Sequence, residues 1–578
     1  MSHIDNYLTW LNNSQIDEET KEELRQIQNN TGEIEERFYK DLEFGTGGFR
    51  GIIGAGTNRM NKYTVRRATQ GLADYIASKG SEGKNRGVVI AYDSRRMSRE
   101  FSEEAALVLG ANAIKAYLFN DLRATPQLSF AIRYLNCIAG IVITASHNPA
   151  EYNGYKVYWE DGGQITTNLA QAITESIDKV NAYLDILLVN REDAINKGLL
   201  VYLDEAVDDK YIEEVKKQSL RGDVVKKVAD EFKVVYTPLH GTGNVPVRRV
   251  LREIGFNNVF VVPEQELPDP EFSTVVYPNP EDKKAFELAI DLAKKIDAHL
   301  ILGTDPDCDR VGAVVKDKTG EYIILTGNQT GALLVEYVLS SLKENKRLPE
   351  NGVIVKTIVT SELGTRIAEN YGINMVNVLT GFKYIGEKIK EFEETGDRQF
   401  ILGYEESYGY LAGTYARDKD AVVASMLICE MAAYYYSKGM TLYEALLELY
   451  DRYGYFAEDL KSITVQGKEG LEKIYVIMEQ FRNRPPMSIA DNKVVCFEDY
   501  KSQQRVYMNH SKDVEKIELP KANVVKFILE NDGWMCLRPS GTEPKLKIYG
   551  GIKGNSWQEV RGILIESINY MENLIKDL

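Results

Sequence analysis

The sequence predicts an α/β protein: three related α/β domains followed by a C-terminal α+β domain. Three observations predict it. A strand–helix–strand pattern occurs at residues 87–119, 232–262 and 352–378, each time with an apolar first strand that ends in polar groups. The repeats start more than 100 residues apart, so they read as separate domains; one large sheet of regular units fits the pattern but not the spacing. From about residue 490 the pattern changes to strands at 524–529, 534–537 and 546–549 before a helix at 556–575.

Composition sets the bounds. At 578 residues the chain is too long for one hydrophobic core. Its 44% hydrophobic and 27% charged residues are those of soluble globular protein. A net charge of −16 argues against general nucleic-acid binding and against docking on an anionic membrane, so an anionic substrate has to be held by local Arg and Lys. The five cysteines (Cys137, Cys308, Cys429, Cys496, Cys536) are scattered and contain no Cys-x-x-Cys pair, which is cytosolic usage and neither a disulfide framework nor a zinc site. No basic segment with an apolar core opens the chain, so no signal peptide is expected. The most apolar helical run, 421–436, is too short to span a bilayer and carries Glu430. The expected location is cytoplasmic.

The elements follow in order. Residues 1–40 alternate apolar and charged positions at helical spacing, with Asp17-Glu18-Glu19 opening a helix; a docked helical extension is expected, with no legible function. Next, Phe44-Gly45-Thr46-Gly47-Gly48-Phe49-Arg50-Gly51 precedes Gly54 and Gly56. Such glycine density lets backbone N–H groups approach an anion, and Arg50 suits phosphate, but Gly-Lys-Ser/Thr is missing and this is no P-loop. The first repeat has a strand at 87–92 ending in Asp93-Ser94-Arg95, a helix at 98–113 and a strand at 114–119. An apolar run at 141–143 then breaks into Thr144-Ala145-Ser146-His147-Asn148-Pro149. Pro149 biases Asn148 away from helix, so an extended loop delivers Ser146 at the carboxyl end of a strand, where α/β sheets gather ligands. In the second repeat, a strand at 232–236 ends in Thr237-Pro238-Leu239-His240, and His240 reads as leading into a helix behind Gly241-Thr242-Gly243. The third has a strand at 352–355 ending in Lys356-Thr357. Pro485-Pro486 ends a helical pattern and marks the last boundary. The expected layout is a helical extension (1–40), α/β domains at 41–215, 216–320 and 321–480, and an α+β domain at 481–578.

Chemistry concentrates after the apolar run 300–302, in Asp305-Pro306-Asp307-Cys308-Asp309-Arg310. On an extended segment alternate side chains share a face, so three carboxylates converge and call for a hard cation such as Mg²⁺. An EF-hand is excluded, because Arg310 and Lys316 stand where its glycine and its terminal acid belong. For Ser146 there is neither a Ser-His-Asp order nor a Gly-x-Ser-x-Gly elbow, and His147, its neighbour on an extended segment, is expected to point away. A serine beside a magnesium site and scattered basic residues suits phosphoryl transfer.

Thr144-Ala-Ser-His-Asn-Pro149, Gly303-Thr-Asp-Pro-Asp-Cys-Asp-Arg310, Gly403-Tyr-Glu-Glu-Ser407 and Arg538-Pro-Ser-Gly-Thr-Glu-Pro544 together resemble the four signature loops of the α-D-phosphohexomutases, in order and in spacing. The resemblance covers nearly all of the chain beyond residue 40. It implies four domains around a central cleft, a phosphoserine at Ser146, and Mg²⁺ held by Asp305, Asp307, Asp309 and that phosphate. It further implies a sugar-reading loop at Glu405 and Ser407 and a phosphate clamp at Arg538, Ser540 and Thr542. Arg50, Lys156, Arg310 and Lys356 would line the site, with Lys156 and Lys383 as catalytic lysines and Lys383, in Thr380-Gly-Phe-Lys383, a candidate general acid/base. The loop at 405–409 with Arg417-Asp418-Lys419-Asp420 is similar to the glucose-type pattern, whereas the loop at 538–544 resembles that of mannose- and pentose-handling relatives. The mixture looks like a phosphoglucomutase branch related to phosphopentomutases. That implies interconversion of glucose 1-phosphate and glucose 6-phosphate through a bisphosphorylated sugar, with glucose 1,6-bisphosphate as activator and a monomer or homodimer as the assembly. Pentose or mannose phosphate as substrate, a phosphatase, and a catalytically silent sugar-phosphate sensor are the alternatives.

Overall fold

The computed structural model describes residues 2–180, 186–465, 470–508, 513–540 and 545–577. The chain divides into two compact units. The first comprises residues 1–325, 385–402 and 408–441, and the second residues 326–384, 403–407 and 442–578.

Three short helices open the first unit (His3–Asn12, Glu18–Gln26, Thr31–Phe38), and their apolar faces close on Tyr7, Trp10, Leu24 and Phe38. Its first sheet contains β1 (Gly48–Ile52), β2 (Val88–Tyr92), β3 (Ala116–Phe119), β4 (Ala139–Ile143), β5 (Tyr152–Trp159) and β6 (Leu200–Leu203), in the order β1-β5-β4-β2-β3-β6. β4, β2, β3 and β6 are parallel; β5 and β1 are added antiparallel. Every residue of β2 and β4 is buried, and both read as unbroken apolar runs, as parallel strands covered on two faces do. The helix expected over 98–113 stops at Ala111, because Ala113 turns to a positive φ of 56° and breaks the helical path.

The second sheet of this unit contains β7 (Lys233–Thr237), β8 (Asn258–Val261), β9 (Leu300–Thr304), β10 (Val311–Lys316) and β11 (Tyr322–Ile324), in the order β11-β10-β9-β7-β8. β9, β7 and β8 are parallel, while β10 folds back antiparallel onto β9, so residues 305–310 form a hairpin turn. Ala421–Ser437 is buried along nearly its whole length, and its Glu430 carboxylate accepts from the backbone N–H groups of Leu220 (2.8 Å) and Arg221 (3.1 Å). Among the described residues no helix is long and apolar enough to cross a membrane.

In the second unit, β12 (Gly352–Thr357) and β13 (Asn374–Val378) are parallel across the helix Leu363–Asn370, the third strand–helix–strand unit. The larger sheet of this unit is antiparallel. Tyr455–Thr464 pairs with Lys545–Gly554 along its whole length, and the sheet continues through Trp534–Pro539, Val525–Leu529 and Asn492–Asp499. The strand at 455–464 therefore joins the C-terminal sheet, although it precedes the proline pair that the sequence reading takes as the boundary. Those prolines end the helix Gly470–Asn483, whose Ile474, Met478 and Phe481 pack into the same C-terminal core. A proline pair marks the end of an element, which is not always the end of a domain.

Candidate active site

The chain leaves β4 at Thr144, and an interlocked set of hydrogen bonds fixes the loop that follows. Thr144 Oγ1 donates to Asp93 Oδ2 at 2.6 Å and accepts from the Ser146 N–H at 2.8 Å. The buried Arg95 guanidinium, 3.2 Å from Asp93, donates to the carbonyls of Ser146 (2.6 Å), Asn148 (2.6 Å), Pro149 (2.8 Å) and Tyr152 (3.1 Å). Gly154 on β5 faces this loop so closely that a Cβ there would lie 2.5 Å from the Thr144 carbonyl. One cation thus collects four carbonyls that would otherwise lose hydrogen bonds on burial. Arg95→Ala would leave Asp93 buried and uncompensated, and should cost about 3–5 kcal/mol of stability in a denaturant titration.

Ser146 itself is buried and has a φ of 53°. It therefore does not lie on an extended segment, and the expectation that His147 points away is overturned: His147 Nδ1 is 3.1 Å from Ser146 Oγ. Burial, followed by the positive charges of Arg310 and Arg50, pushes the His147 imidazole down, so the neutral ring is favoured. On its other side Ser146 Oγ donates to Asp305 Oδ2 at 2.7 Å. Arg50, exposed on β1, donates to Asn148 Oδ1 at 2.8 Å in the same loop.

The three aspartates converge as expected, by a different route. The segment is the β9–β10 turn, with Cys308 at a φ of 53° and its N–H donating to the Asp305 carbonyl at 2.9 Å. Ligand oxygens of Asp305, Asp307 and Asp309 all lie within 4.8 Å of one another, and all three residues are buried. Burial, then repulsion from Asp307 and Asp309, pushes the Asp305 carboxyl up. Burial acts the same way on Asp307, but Lys156 Nζ at 2.9 Å outweighs it and holds that group below the usual carboxylate range. Lys419 Nζ lies 3.0 Å from Asp309 Oδ2. Asp307 Oδ1 and Asp309 Oδ1 are buried without a hydrogen-bond partner. Crowded hard oxygen donors, two of them unpartnered, fit a divalent cation such as Mg²⁺. The Thr125 N–H, in the first turn of the helix Thr125–Tyr134, donates to the Asp307 backbone carbonyl at 2.9 Å and ties the aspartate turn to that helix.

The second unit carries the remaining expected residues. Lys356 is fully buried, donating to the Thr360 carbonyl (3.2 Å) and pairing with Glu362 (3.0 Å), so its charge is matched within the unit. Glu405 accepts from the Gly381 N–H at 2.8 Å, two residues from Lys383. Glu406 accepts from the hydroxyls of Thr357 (3.1 Å) and Thr360 (3.2 Å), while Ser407 is half-buried beside it in the chain. Lys383 Nζ lies 5.3 Å from the centre of the Tyr384 ring. Arg538 and Ser540 are half-buried, and the Ser540 N–H donates to the Lys545 carbonyl at 2.7 Å. Thr542 lies outside the described residues.

In the first unit the structure brings together Ser146, Lys156, Asp305, Asp307 and Asp309. Arg310 Nε lies 3.8 Å from Asp309 Oδ1, and Arg310 also pairs with Glu281 (2.6 Å). Sequence reasoning missed three contributors: Asp93 and Arg95, visible only as the polar end of a strand, and Lys419, noted only as part of a motif. The glycine-rich stretch is a partial correction. Its Arg50 reaches the serine loop, but the Ala55 N–H behind Gly54 is held by the Glu23 carboxylate of the chain itself, 3.1 Å to each oxygen.

Four family models match in succession: phosphoglucomutase/phosphomannomutase α/β/α domains I (residues 41–184), II (209–320) and III (326–453), and the C-terminal domain (504–551). The chain is 40% identical over 526 residues to a phosphoglucomutase of Staphylococcus haemolyticus, covering 91% of this chain and 93% of that one. It is 41% identical over 517 residues to a phosphoglucomutase of Staphylococcus epidermidis, covering 89% and 92%. Among solved structures it resembles Paramecium parafusin, a phosphoglucomutase, with a TM-score of 0.69 at 18% identity over 93% of this chain and 95% of that one. A phosphoglucomutase/phosphomannomutase family protein of Burkholderia thailandensis gives a TM-score of 0.65 at 18% identity, covering 92% and 97%. With family models matched over most of its length and relatives this similar over nine tenths of it, the chain belongs to the phosphoglucomutase/phosphomannomutase family.

Proposed function

We propose that the chain interconverts glucose 1-phosphate and glucose 6-phosphate, with Ser146 as the phosphoryl carrier and glucose 1,6-bisphosphate as the intermediate. The observation that carries this reading is Ser146 Oγ, buried, 2.7 Å from Asp305 and 3.1 Å from His147 Nδ1. The names of the Staphylococcus relatives favour glucose over mannose or pentose.

In the first half-reaction the free hydroxyl of the sugar attacks the phosphorus carried by Ser146. A P–O bond forms to the sugar, the P–Oγ bond breaks, the sugar hydroxyl loses its proton and Ser146 Oγ regains one. In the second, Ser146 Oγ attacks the phosphorus at the other end of the reoriented bisphosphate: the P–Oγ bond forms again, the P–O bond to the sugar breaks, Oγ loses its proton and the released sugar oxygen gains one. Asp305 and His147 are the acceptors within hydrogen-bond reach of Oγ, and Lys156 and Lys383 are the proposed groups for proton transfer at the sugar. Asp305, Asp307, Asp309 and the Ser146 phosphate would hold Mg²⁺, which would supply charge neutralisation for the transferring phosphoryl group. Arg50 and Arg310 add positive charge for the substrate, Lys356, with its charge matched by Glu362, supports the site from within the fold, and Glu405 and Ser407 read the sugar hydroxyls. Arg538, Ser540 and Thr542 hold the phosphate that is not being transferred.

One clamp serving both orientations has a testable consequence. Arg538→Ala should lose about 2–4 kcal/mol of transition-state stabilisation in both reaction directions. Initial rates from glucose 1-phosphate and from glucose 6-phosphate check it, and a defect confined to one direction would contradict the assignment. Steady-state kinetics on glucose 1-phosphate, mannose 1-phosphate and ribose 1-phosphate test the choice of sugar, with glucose expected to have the highest kcat/KM. Added glucose 1,6-bisphosphate should reactivate protein that has lost its phosphate; a phosphatase or a silent sensor would show no such activation.

A further inference from the structure

Residues 2–40 lie outside all four family matches, yet they are built onto the loop that follows the strand carrying Arg50. β1 runs directly into the loop 53–61, whose two ends are tied together: the Met60 N–H donates to the Ile52 carbonyl (2.8 Å) and the Gly54 N–H to the Met60 carbonyl (3.1 Å). The outer side of this loop is held by the helices of residues 2–40. Both oxygens of Glu23 accept from the Ala55 N–H, and Arg37 donates to the Ala55 carbonyl at 3.2 Å while pairing with Glu23. The Asn58 N–H donates to the Arg37 carbonyl (2.9 Å), and Arg59 donates to Glu36 (2.6 Å). Ala55 and Tyr63 are 2% exposed because they are part of the apolar core of the cap, where Trp10 meets the Tyr63 ring edge-on at 5.3 Å.

The loop sequence suits this contact. Gly54 and Gly56 have φ values of 157° and 133°; a Cβ on Gly54 would lie 2.9 Å from Glu23 Oε1, and one on Gly56 2.7 Å from the Arg37 carbonyl. Gly54 lets the backbone come within reach of the Glu23 carboxylate and Gly56 within reach of the Arg37 backbone, and both partners belong to the cap.

We infer that residues 2–40 are a clamp that fastens the loop 53–61 and so holds β1 in the position that presents Arg50 at the Ser146 loop, setting the affinity for the phosphate of the substrate. Glu23 is its positioning residue. The effect on affinity rests on the mutase reading above; the fastening of the loop does not.

Glu23→Ala, Glu23→Gln and the neighbouring control Glu22→Ala separate these points in the full chain. Amide exchange at 53–61, binding of glucose 6-phosphate by calorimetry, and kcat and KM for glucose 1-phosphate are measured on each. Glu23→Ala should speed exchange of the Ala55 amide about 10-fold or more and raise Kd and KM about 5-fold, with kcat changed less than about 2-fold. Glu23→Gln, which keeps one acceptor oxygen, should recover part of both effects, and Glu22→Ala should match wild type. Unchanged exchange would overturn the clamp. Faster exchange with unchanged Kd and KM would reduce the cap to a structural role and overturn the link to Arg50, as would faster exchange spread evenly over the chain. Wild-type protein that binds glucose 6-phosphate without turning it over would sink the mutase reading alone, and exchange and Kd would still decide the clamp.

Discussion

Ser146→Ala should lower mutase turnover by about 10⁴-fold or more, because it removes the atom that carries the phosphoryl group and nothing nearby can replace it. His147 and Asp305 lie within reach of Oγ, but an imidazole or carboxylate in their places would have to accept phosphate with the serine loop still locked by Arg95. The substitution deletes one hydroxyl from a loop held by its backbone carbonyls, so folding should be nearly unaffected. The thermal midpoint measured beside the rate separates these outcomes. Near-wild-type turnover in a folded Ser146→Ala variant would rule out the serine as carrier.

Loss of one carboxylate of the triad should be the next largest effect. Asp305→Asn, Asp307→Asn or Asp309→Asn should each reduce the rate about 10²-fold or more, since a ligand of the cation is lost and the phosphoryl charge is less neutralised. The stability change should depend on the position. Burial and repulsion from Asp307 and Asp309 push the Asp305 carboxyl up, so without metal Asp305→Asn should be as stable as wild type or more so, whereas Asp307→Asn breaks the ion pair with Lys156 and should be less stable. Mg²⁺ should raise the wild-type midpoint and leave the variants unchanged. Excess chelator should abolish wild-type activity, and Mg²⁺ should restore it. Full activity in excess chelator would contradict the magnesium assignment.

The local patterns legible in the sequence were apolar runs with polar ends. Strands such as Val88–Tyr92 and Ala139–Ile143 are continuous apolar runs, and the polar residues at their ends mark where the chain turns toward the site. The aspartate triplet was legible because its chemistry demands a cation whatever the backbone does. The backbone itself was not. Positive φ values at Ser146 and Cys308 reverse the facing rule for extended chain, which is why His147 reaches Ser146 and why a turn gathers the aspartates. Asp93 and Arg95 were hidden for another reason: Asp93 accepts from the Thr144 hydroxyl and Arg95 donates to the Ser146 and Asn148 carbonyls, all more than fifty residues away, and no local spacing announces them. The glycines at 54 and 56 signal a close approach without saying to what, and the structure places the Glu23 carboxylate against Gly54 and the Arg37 backbone against Gly56.

The central claim is that Ser146 passes a phosphoryl group to and from the sugar. The most direct measurement is peptide mass analysis of the segment containing Ser146, taken with Mg²⁺ present before and after glucose 1,6-bisphosphate and again after a chase with excess unlabelled glucose 1-phosphate. With isotopically labelled phosphate in the bisphosphate, the account predicts that label appears on Ser146 and then leaves for the sugar, at a rate no slower than turnover. Label that never reaches Ser146 while mutase turnover continues, or that leaves it only as inorganic phosphate, would contradict the account.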